Sequence, residues 1–261
     1  MNFVESFRIA FRALAANKAR SLLTMLGVII GVAAVILLVG IGTGVSDEVT
    51  GSLEGLGSNL LFVVPGQFEG GIGGGGAPPG RRFTLDDVDL IARRVEGASA
   101  VVPVFQAGAT IKAGNRSMRV VVAAGNEQGT EVFTSDLADG RHYRRGEVQA
   151  ASRVVALGSR VASELFPNQD PLGKQVTLAG QRFTVVGYYE SLGGGLGGDQ
   201  DSQVYIPITT AQRLFNVNYV STIVVKAADP DEIETVRRDV RRALLPTFGD
   251  EFTVFSQEQT L

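Results

Sequence analysis

The sequence predicts an α+β fold: one N-terminal transmembrane helix, then a ferredoxin-like βαβ…βαβ domain with a mainly β subdomain inserted into it. Three observations predict it. Ser21–Ser46 carries no charged residue and is bounded by Arg20 and Asp47. Asn59–Phe105 and Ser221–Phe255 each read as strand, helix, strand. The segment between them reads mostly as short strands separated by glycine turns. Two βαβ units that pair side by side make a ferredoxin-like sandwich, and their separation along the chain requires an insert.

The apolar stretch comes first. As a helix, Ser21–Ser46 spans roughly 39 Å, more than the hydrocarbon core of a bilayer at about 30 Å. It is longer than the apolar core of a secretory signal, so an uncleaved anchor is expected. Residues 1–20 hold four cations, Arg8, Arg12, Lys18 and Arg20, against Glu5. Cations beside a membrane helix stay in the cytoplasm, which puts residues 1–20 inside and Asp47 onward outside. Within Asn2–Ala19, Phe3, Phe7, Ala10, Phe11 and Leu14 recur at helical spacing, with Arg8, Arg12 and Lys18 between them. That is an amphipathic helix suited to the lipid interface. Gly27 and Gly31, and again Gly40 and Gly44, have the spacing that lets membrane helices approach closely. Gly27 and Gly31 are the candidate packing positions, against a second copy or another helix of the same protein.

The chain has 261 residues, a net charge of −3 and no cysteine. Without cysteine there is no disulfide framework and no thiolate metal site. The basic first segment leaves the remainder acidic, which argues against nucleic acid as a partner.

In the first βαβ unit, Asn59–Val64 is the strand, stopped by Pro65. Thr84 caps a helix over Leu85–Val95, with Leu85, Val88, Ile91, Ala92 and Val95 as its buried stripe. Ala100–Phe105 is the next strand. The second unit has a strand at Ser221–Ala227 and a helix start at Asp229, Pro230 and Glu232. Its helix has one face of Ile233, Val236, Val240 and Leu244, ends at Pro246, and is followed by a strand at Glu251–Phe255.

Between the units, a hairpin is expected from Ala109–Lys112 and Ser117–Ala124 around Gly114-Asn115. A second is expected from Gln175–Leu178 and Arg182–Tyr188 around Ala179-Gly180. Val154–Leu157 leads through Gly158-Ser159 into a short helix ending at Leu165-Phe166-Pro167. Val204–Ile206 is a strand and Thr210–Phe215 a short helix. Gly66–Gly80 and Gly193–Gly198 are glycine-rich loops. Ser256 and Gln259 have capping-box spacing, so a helix is expected to begin at Gln257 and lead back to the membrane.

No residue pattern supports catalysis. The glycine-rich loops lack the spacing of a phosphate cradle, and Gly173-Lys174 is followed by Gln175 rather than by Ser or Thr. His142, the one histidine, sits among Arg141, Arg144 and Arg145 and reads as an exposed turn residue. Those arginines read as a solvated patch. Asp199 and Asp201 lack the downstream Gly and Glu of a calcium loop. No catalytic, cofactor or metal residue is expected.

Several segments together carry a resemblance. They are Asn17–Ile36, Gly140-Arg141 ahead of Glu147, Val154–Leu157 with Gly158-Ser159, Leu165-Phe166, Asp170–Lys174, Phe183–Gly187 and Val204–Gln212. Taken together they resemble the FtsX-like/MacB-type permeases of ABC transporters, over essentially the whole chain. The resemblance implies a four-helix membrane protein of the cell (inner) membrane, with a large extracytoplasmic or periplasmic domain between its first two helices. That domain has a porter-like α+β part with a second part inserted. The corresponding divisions are 1–20 cytoplasmic, 21–46 transmembrane, 47–105 with 220–256 porter-like, 106–219 inserted, and 257–261 the start of a truncated helix. The implied partners are an ABC ATPase subunit that binds the ATP, a second permease copy, membrane lipid and an extracytoplasmic adaptor. The implied work is export or extrusion by mechanotransmission, which this chain alone is not expected to perform. The alternative is a non-transporting, membrane-anchored regulator of an extracytoplasmic enzyme or signalling partner.

Overall fold

The computed structural model describes residues 8, 23, 25–33, 59–66, 81–132, 136–191 and 200–256. The chain divides into two units, Met1–Gly51 and Ser52–Leu261.

In the first unit, residues 25–33 are helical, and Leu23, Met25, Leu26, Val28, Ile29, Ile30 and Val32 are all exposed. Among the described residues no helix is long and apolar enough to cross a membrane. The rest of the Ser21–Ser46 stretch lies outside the described residues. So does the amphipathic segment, apart from Arg8, which is helical and exposed.

The second unit contains strands β1 (Leu60–Pro65), β2 (Ala98–Ala113), β3 (Arg116–Gly125), β4 (Leu137–Gly140), β5 (Val154–Leu157), β6 (Gln175–Leu178), β7 (Gln181–Tyr189), β8 (Gln203–Pro207), β9 (Thr222–Ala227) and β10 (Phe252–Ser256). Its helices are α1 (Leu85–Arg94), α2 (Gly129–Val132), α3 (Arg145–Ala150), α4 (Ser159–Leu165), α5 (Ile208–Phe215) and α6 (Ile233–Phe248).

Four strands pair antiparallel in the order β10-β1-β9-β2. α1 and α6 supply the apolar stripes that pack with one face of this sheet, through Val88, Ile91, Val236, Val240 and Leu244. The expected stripe of α1 holds except at Ala92, which is exposed. Asp87 is buried instead, because its carboxylate accepts from both the N–H and the hydroxyl of Thr84 at 2.8 Å. These bonds satisfy the capping position.

Two expectations need correction, although Pro103 lies within a strand as expected. Ala100–Phe105 and Ala109–Lys112 are not separate strands: β2 is continuous from Ala98 to Ala113 and changes partner midway. It pairs β9 along Ala98–Val104 and β3 along Phe105–Ala113. Pro103 fits because the Val104 carbonyl accepts from Ser221 on the β9 side. Backbone groups alternate in direction along a strand, so the missing N–H of Pro103 falls on the other edge. On that same edge Val101 is satisfied by side-chain amides. Asn126 donates to its carbonyl at 2.9 Å and Gln128 accepts from its N–H at 3.4 Å. The second correction is Pro246, which does not end its helix; α6 runs on to Phe248. The carbonyl its ring leaves without its usual donor is that of Arg242, an exposed residue.

The second half of β2 belongs to a different assembly. β2, β3, β8, β5, β7 and β6 pair in sequence, and β6 returns to β2 through Ile111↔Leu178 and Lys112↔Thr177. The strands therefore close into a six-membered ring. Alternate residues fill its interior, among them Ile111, Val122, Val155, Leu178, Phe183 and Ile206, all at most 1% exposed. Both expected hairpins are present. Ala179 and Gly180 take positive φ of 47° and 83°, the requirement of a two-residue I′ turn. Helices α2 and α3 and strand β4 were not expected from sequence. The helix at Gln257 and nearly all of the two glycine-rich loops lie outside the described residues.

Candidate functional site

The predicted positions do not converge on one site. Gly27 and Gly31 are helical and exposed, and a Cβ at either would meet nothing within 4 Å. Arg12, Lys18 and Arg20 lie outside the described residues, as does Asp199. Asp201 accepts from the Ser191 hydroxyl at 2.7 Å. No group of metal-ligating side chains forms among the described residues.

Several of the segments that carry the family resemblance are turns of the ring. Gly140 sits at φ 86°, directly opposite Gly187 across the β4–β7 ladder. A Cβ on Gly187 would lie 2.5 Å from the Arg141 carbonyl oxygen, and one on Gly158 would lie 2.4 Å from that of Asp201. In Asp170–Lys174, the Asp170 carboxylate accepts from the Leu172 N–H at 2.9 Å, and Gly173 at φ 71° donates to Val185 at 2.9 Å. This turn delivers the chain into β6.

Arg144 and Arg145 are exposed, as expected of a solvated patch, whereas Arg141 is half-buried and tied to Glu147. Its guanidinium pairs both oxygens of Glu147 at 2.8 Å, and Glu147 also accepts from the Arg144 N–H at 2.8 Å. The hydrogen bonds from Arg141 hold the Glu147 carboxyl below the usual range, and Glu147 in turn raises Arg141. The pair fixes the corner between β4 and α3. Arg145 lies 3.8 Å from Glu127.

That corner turns His142 inward, contrary to the expectation of an exposed turn histidine. Its Nδ1 lies 2.7 Å from the Tyr189 hydroxyl, and its ring packs against that of Tyr143, tilted by 36°, with centroids 3.9 Å apart. Its Nε2 is fully buried and has no hydrogen-bond partner. Burial lowers His142 from 6.5 to about 4, so the ring is neutral at pH 7. Burial also raises the phenols: Tyr143 and Tyr189 upward, and Tyr205 to about 12.

These residues line a cleft of about 130 Å³ where the ring meets the four-stranded sheet. Val102, Val104 and Gln106 of β2 form one wall. Ala123 of β3 and Gln203 and Tyr205 of β8 form the floor, while Thr130, His142, Tyr143 and Tyr189 close it. Tyr189 and Tyr205 meet edge to face with centroids 4.8 Å apart. Three of the chain's five tyrosines thus converge here. Sequence reasoning missed them because they come from separate elements. The alternation of β8, where Tyr205 lies between inward Val204 and Ile206, was the available signal.

Residues 21–243 match the family described as the MacB-like periplasmic core domain. The macrolide export ATP-binding/permease protein MacB of Bdellovibrio bacteriovorus is 32% identical over 97% of this chain and 40% of its own length. That of Hyphomonas neptunium is 34% identical over 95% of this chain and 38% of its own length. The chain thus spans about two-fifths of these curated relatives. In fold it is similar to the periplasmic region of MacB from Actinobacillus actinomycetemcomitans. That match has a TM-score of 0.67 at 20% identity, covering 79% of this chain and 92% of that one. It is also similar to the extracellular domain of the noncanonic ABC-type transporter YknZ from Gram-positive bacteria, at TM-score 0.62 and 20% identity, covering 76% of this chain and all of that one. The chain belongs to the MacB-like periplasmic core domain family, the extracytoplasmic domain of FtsX/MacB-type permeases.

Proposed function

We propose that this chain supplies the first membrane helix and the outer domain of an ABC-transporter permease subunit. In this reading ATP hydrolysis in the cytoplasm is coupled to export or extrusion of cargo by mechanotransmission. The observation that carries it is where the outer unit's sheet receives and releases the chain. β1 begins beside the point where β10 ends, with Leu61 in register with Ser256. Asn59, just before β1, is fixed to Ala227 of β9 by two hydrogen bonds, 2.6 Å from its side chain and 2.9 Å to its carbonyl. A displacement arriving from either flank therefore loads adjacent strands of one sheet.

The strand order β10-β1-β9-β2, with α1 and α6 on one face, supports a ferredoxin-like, porter-type half made of residues 47–105 and 220–256. The closed ring lies within the inserted segment 106–219, apart from the end of β2 it shares with the sheet. Arg8, Arg12, Lys18 and Arg20 support a cytoplasmic N-terminus, a membrane helix at 21–46 and contact with lipid headgroups. An ABC ATPase subunit, a second permease copy and an extracytoplasmic adaptor are the partners. The domain is a mechanical element rather than an enzyme. Gly27 and Gly31 lie four residues apart on one helical face and support close packing against a second helix.

The test is export from a strain lacking the permease, with the complete protein and its ATPase returned. Restored extrusion is expected, and replacing both Gly27 and Gly31 by Leu is expected to lower assembly about tenfold, the equivalent of about 1.4 kcal/mol. Unchanged extrusion, together with an altered extracytoplasmic enzyme activity, would establish a regulator instead.

A further inference from the structure

The cleft beside His142 has the properties of a ligand site in its own right. Its lining contains glutamine, threonine, tyrosine and histidine, and no Lys, Arg, Asp or Glu among the described residues. A charged ligand would lose its hydration there without gaining a counter-charge. The aliphatic and aromatic wall of Val102, Val104, Tyr189 and Tyr205 favours an apolar body. The volume of about 130 Å³ is close to that of a cavity of about 150 Å³ that holds benzene. One buried polar atom of the lining has no hydrogen-bond partner. His142 lines the cleft, Tyr189 occupies its Nδ1, and its buried Nε2 is left over. The Nδ1 bond and the tilted contact with Tyr143 hold the ring, and a ligand reaches the buried Nε2 through a small displacement of the side chains that cover it.

We propose that this cleft binds a small, uncharged, single-ring aromatic compound bearing one hydrogen-bonding substituent. The ring packs beside Tyr189 and Tyr205, and the substituent meets Nε2 of His142. A neutral imidazole presents either N–H or a lone pair at Nε2, according to its tautomer. A hydroxyl, which both donates and accepts, satisfies either form. The site does not depend on the transport reading, because its test requires only this chain.

His142 is the chain's single histidine, so imidazole-15N labelling of the full chain in lipid nanodiscs yields one Nε2 and one Nδ1 signal. The probes are 4-fluorophenol and fluorobenzene, each also followed by its own 19F signal. Saturable binding of 4-fluorophenol is expected, with a shift of the Nε2 signal larger than that of Nδ1. Fluorobenzene is expected to bind about tenfold more weakly, the difference made by one hydrogen bond. His142→Phe should bring the two probes to equal affinity. Ala123→Leu fills the floor of the cleft and should abolish binding of both while leaving the His142 signals in place. Equal affinities for the unaltered chain would overturn the proposal. So would undiminished binding in Ala123→Leu, or an Nε2 signal that does not move, which would mean that the cleft holds water only.

Discussion

Replacing Gly187 by alanine is expected to destabilise the outer unit by about 3 kcal/mol, at the upper end of overpacking effects. The new Cβ would stand 2.5 Å from the carbonyl oxygen of Arg141, 2.9 Å from its nitrogen and 3.1 Å from its carbonyl carbon. All three are backbone atoms, so no side chain can swing away. Relief requires β4 and β7 to separate, which strains the 2.9 Å bond from the Arg141 N–H to the Val186 carbonyl. Arg141 also anchors Glu147 and precedes His142, so the change should loosen both the ion pair and the cleft. For a unit of this size the loss corresponds to a fall in Tm of roughly 6 to 12 °C. Gly146→Ala is the control. That glycine lies inside α3, its Cβ would meet nothing within 4 Å, and alanine there should stabilise by about 0.5 to 1 kcal/mol. Equal Tm values for the two variants would refute the close-approach argument.

Acidification from pH 6.5 to pH 4 is expected to cost about 3 kcal/mol through His142 alone. The sign follows from burial. In the folded chain His142 takes its proton only near pH 4, whereas the unfolded chain takes it near 6.5. The unfolded state therefore binds more protons over this window, and stability falls as pH falls. Tyr143 and Tyr189 stay neutral throughout, since burial raises both. Glu147 acts in a different window. Its carboxyl is held low by Arg141, so its contribution is present above its ordinary value of 4.5 and is lost only below that. Chemical denaturation of His142→Phe from pH 7 to 4.5 should show almost no slope, while the unaltered chain weakens steadily. A slope that survives the substitution would place the acid sensitivity elsewhere.

Much of the sheet was legible because its signals are local. The stripe Ile233, Val236, Val240 and Leu244 and the turns at Gly114-Asn115 and Ala179-Gly180 each declare themselves within a few residues. Of the two prolines inside elements, the sequence keeps Pro103 within its strand, as observed, and misplaces only the helix end at Pro246. Whether a proline breaks a strand or helix depends on which way the missing N–H points and whether the orphaned carbonyl reaches water. Pro103 faces an edge already served by side chains, and the carbonyl that Pro246 deprives of its donor belongs to an exposed residue, Arg242. The cleft was illegible for a related reason. Arg141, Arg144 and Arg145 make the surroundings of His142 look polar, yet Arg141 is committed to Glu147 and the partners of His142 include a residue 47 positions away. Closure of the ring depends equally on a long-range pairing, Lys112 with Thr177 across β2 and β6.

Coupling between nucleotide state and the outer unit is read most directly by electron–electron distance measurement on the assembled permease. This chain has no native cysteine; with any cysteine elsewhere in the assembly replaced, Ser117→Cys, at an exposed site beside the β2–β3 turn, gives one label per copy. In nanodiscs containing the proposed ATPase partner, the distance between labels on the two proposed permease copies should differ between the nucleotide-free and ATP-trapped states. Identical distance distributions in both states, while ATP is being hydrolysed, would contradict mechanotransmission through this domain.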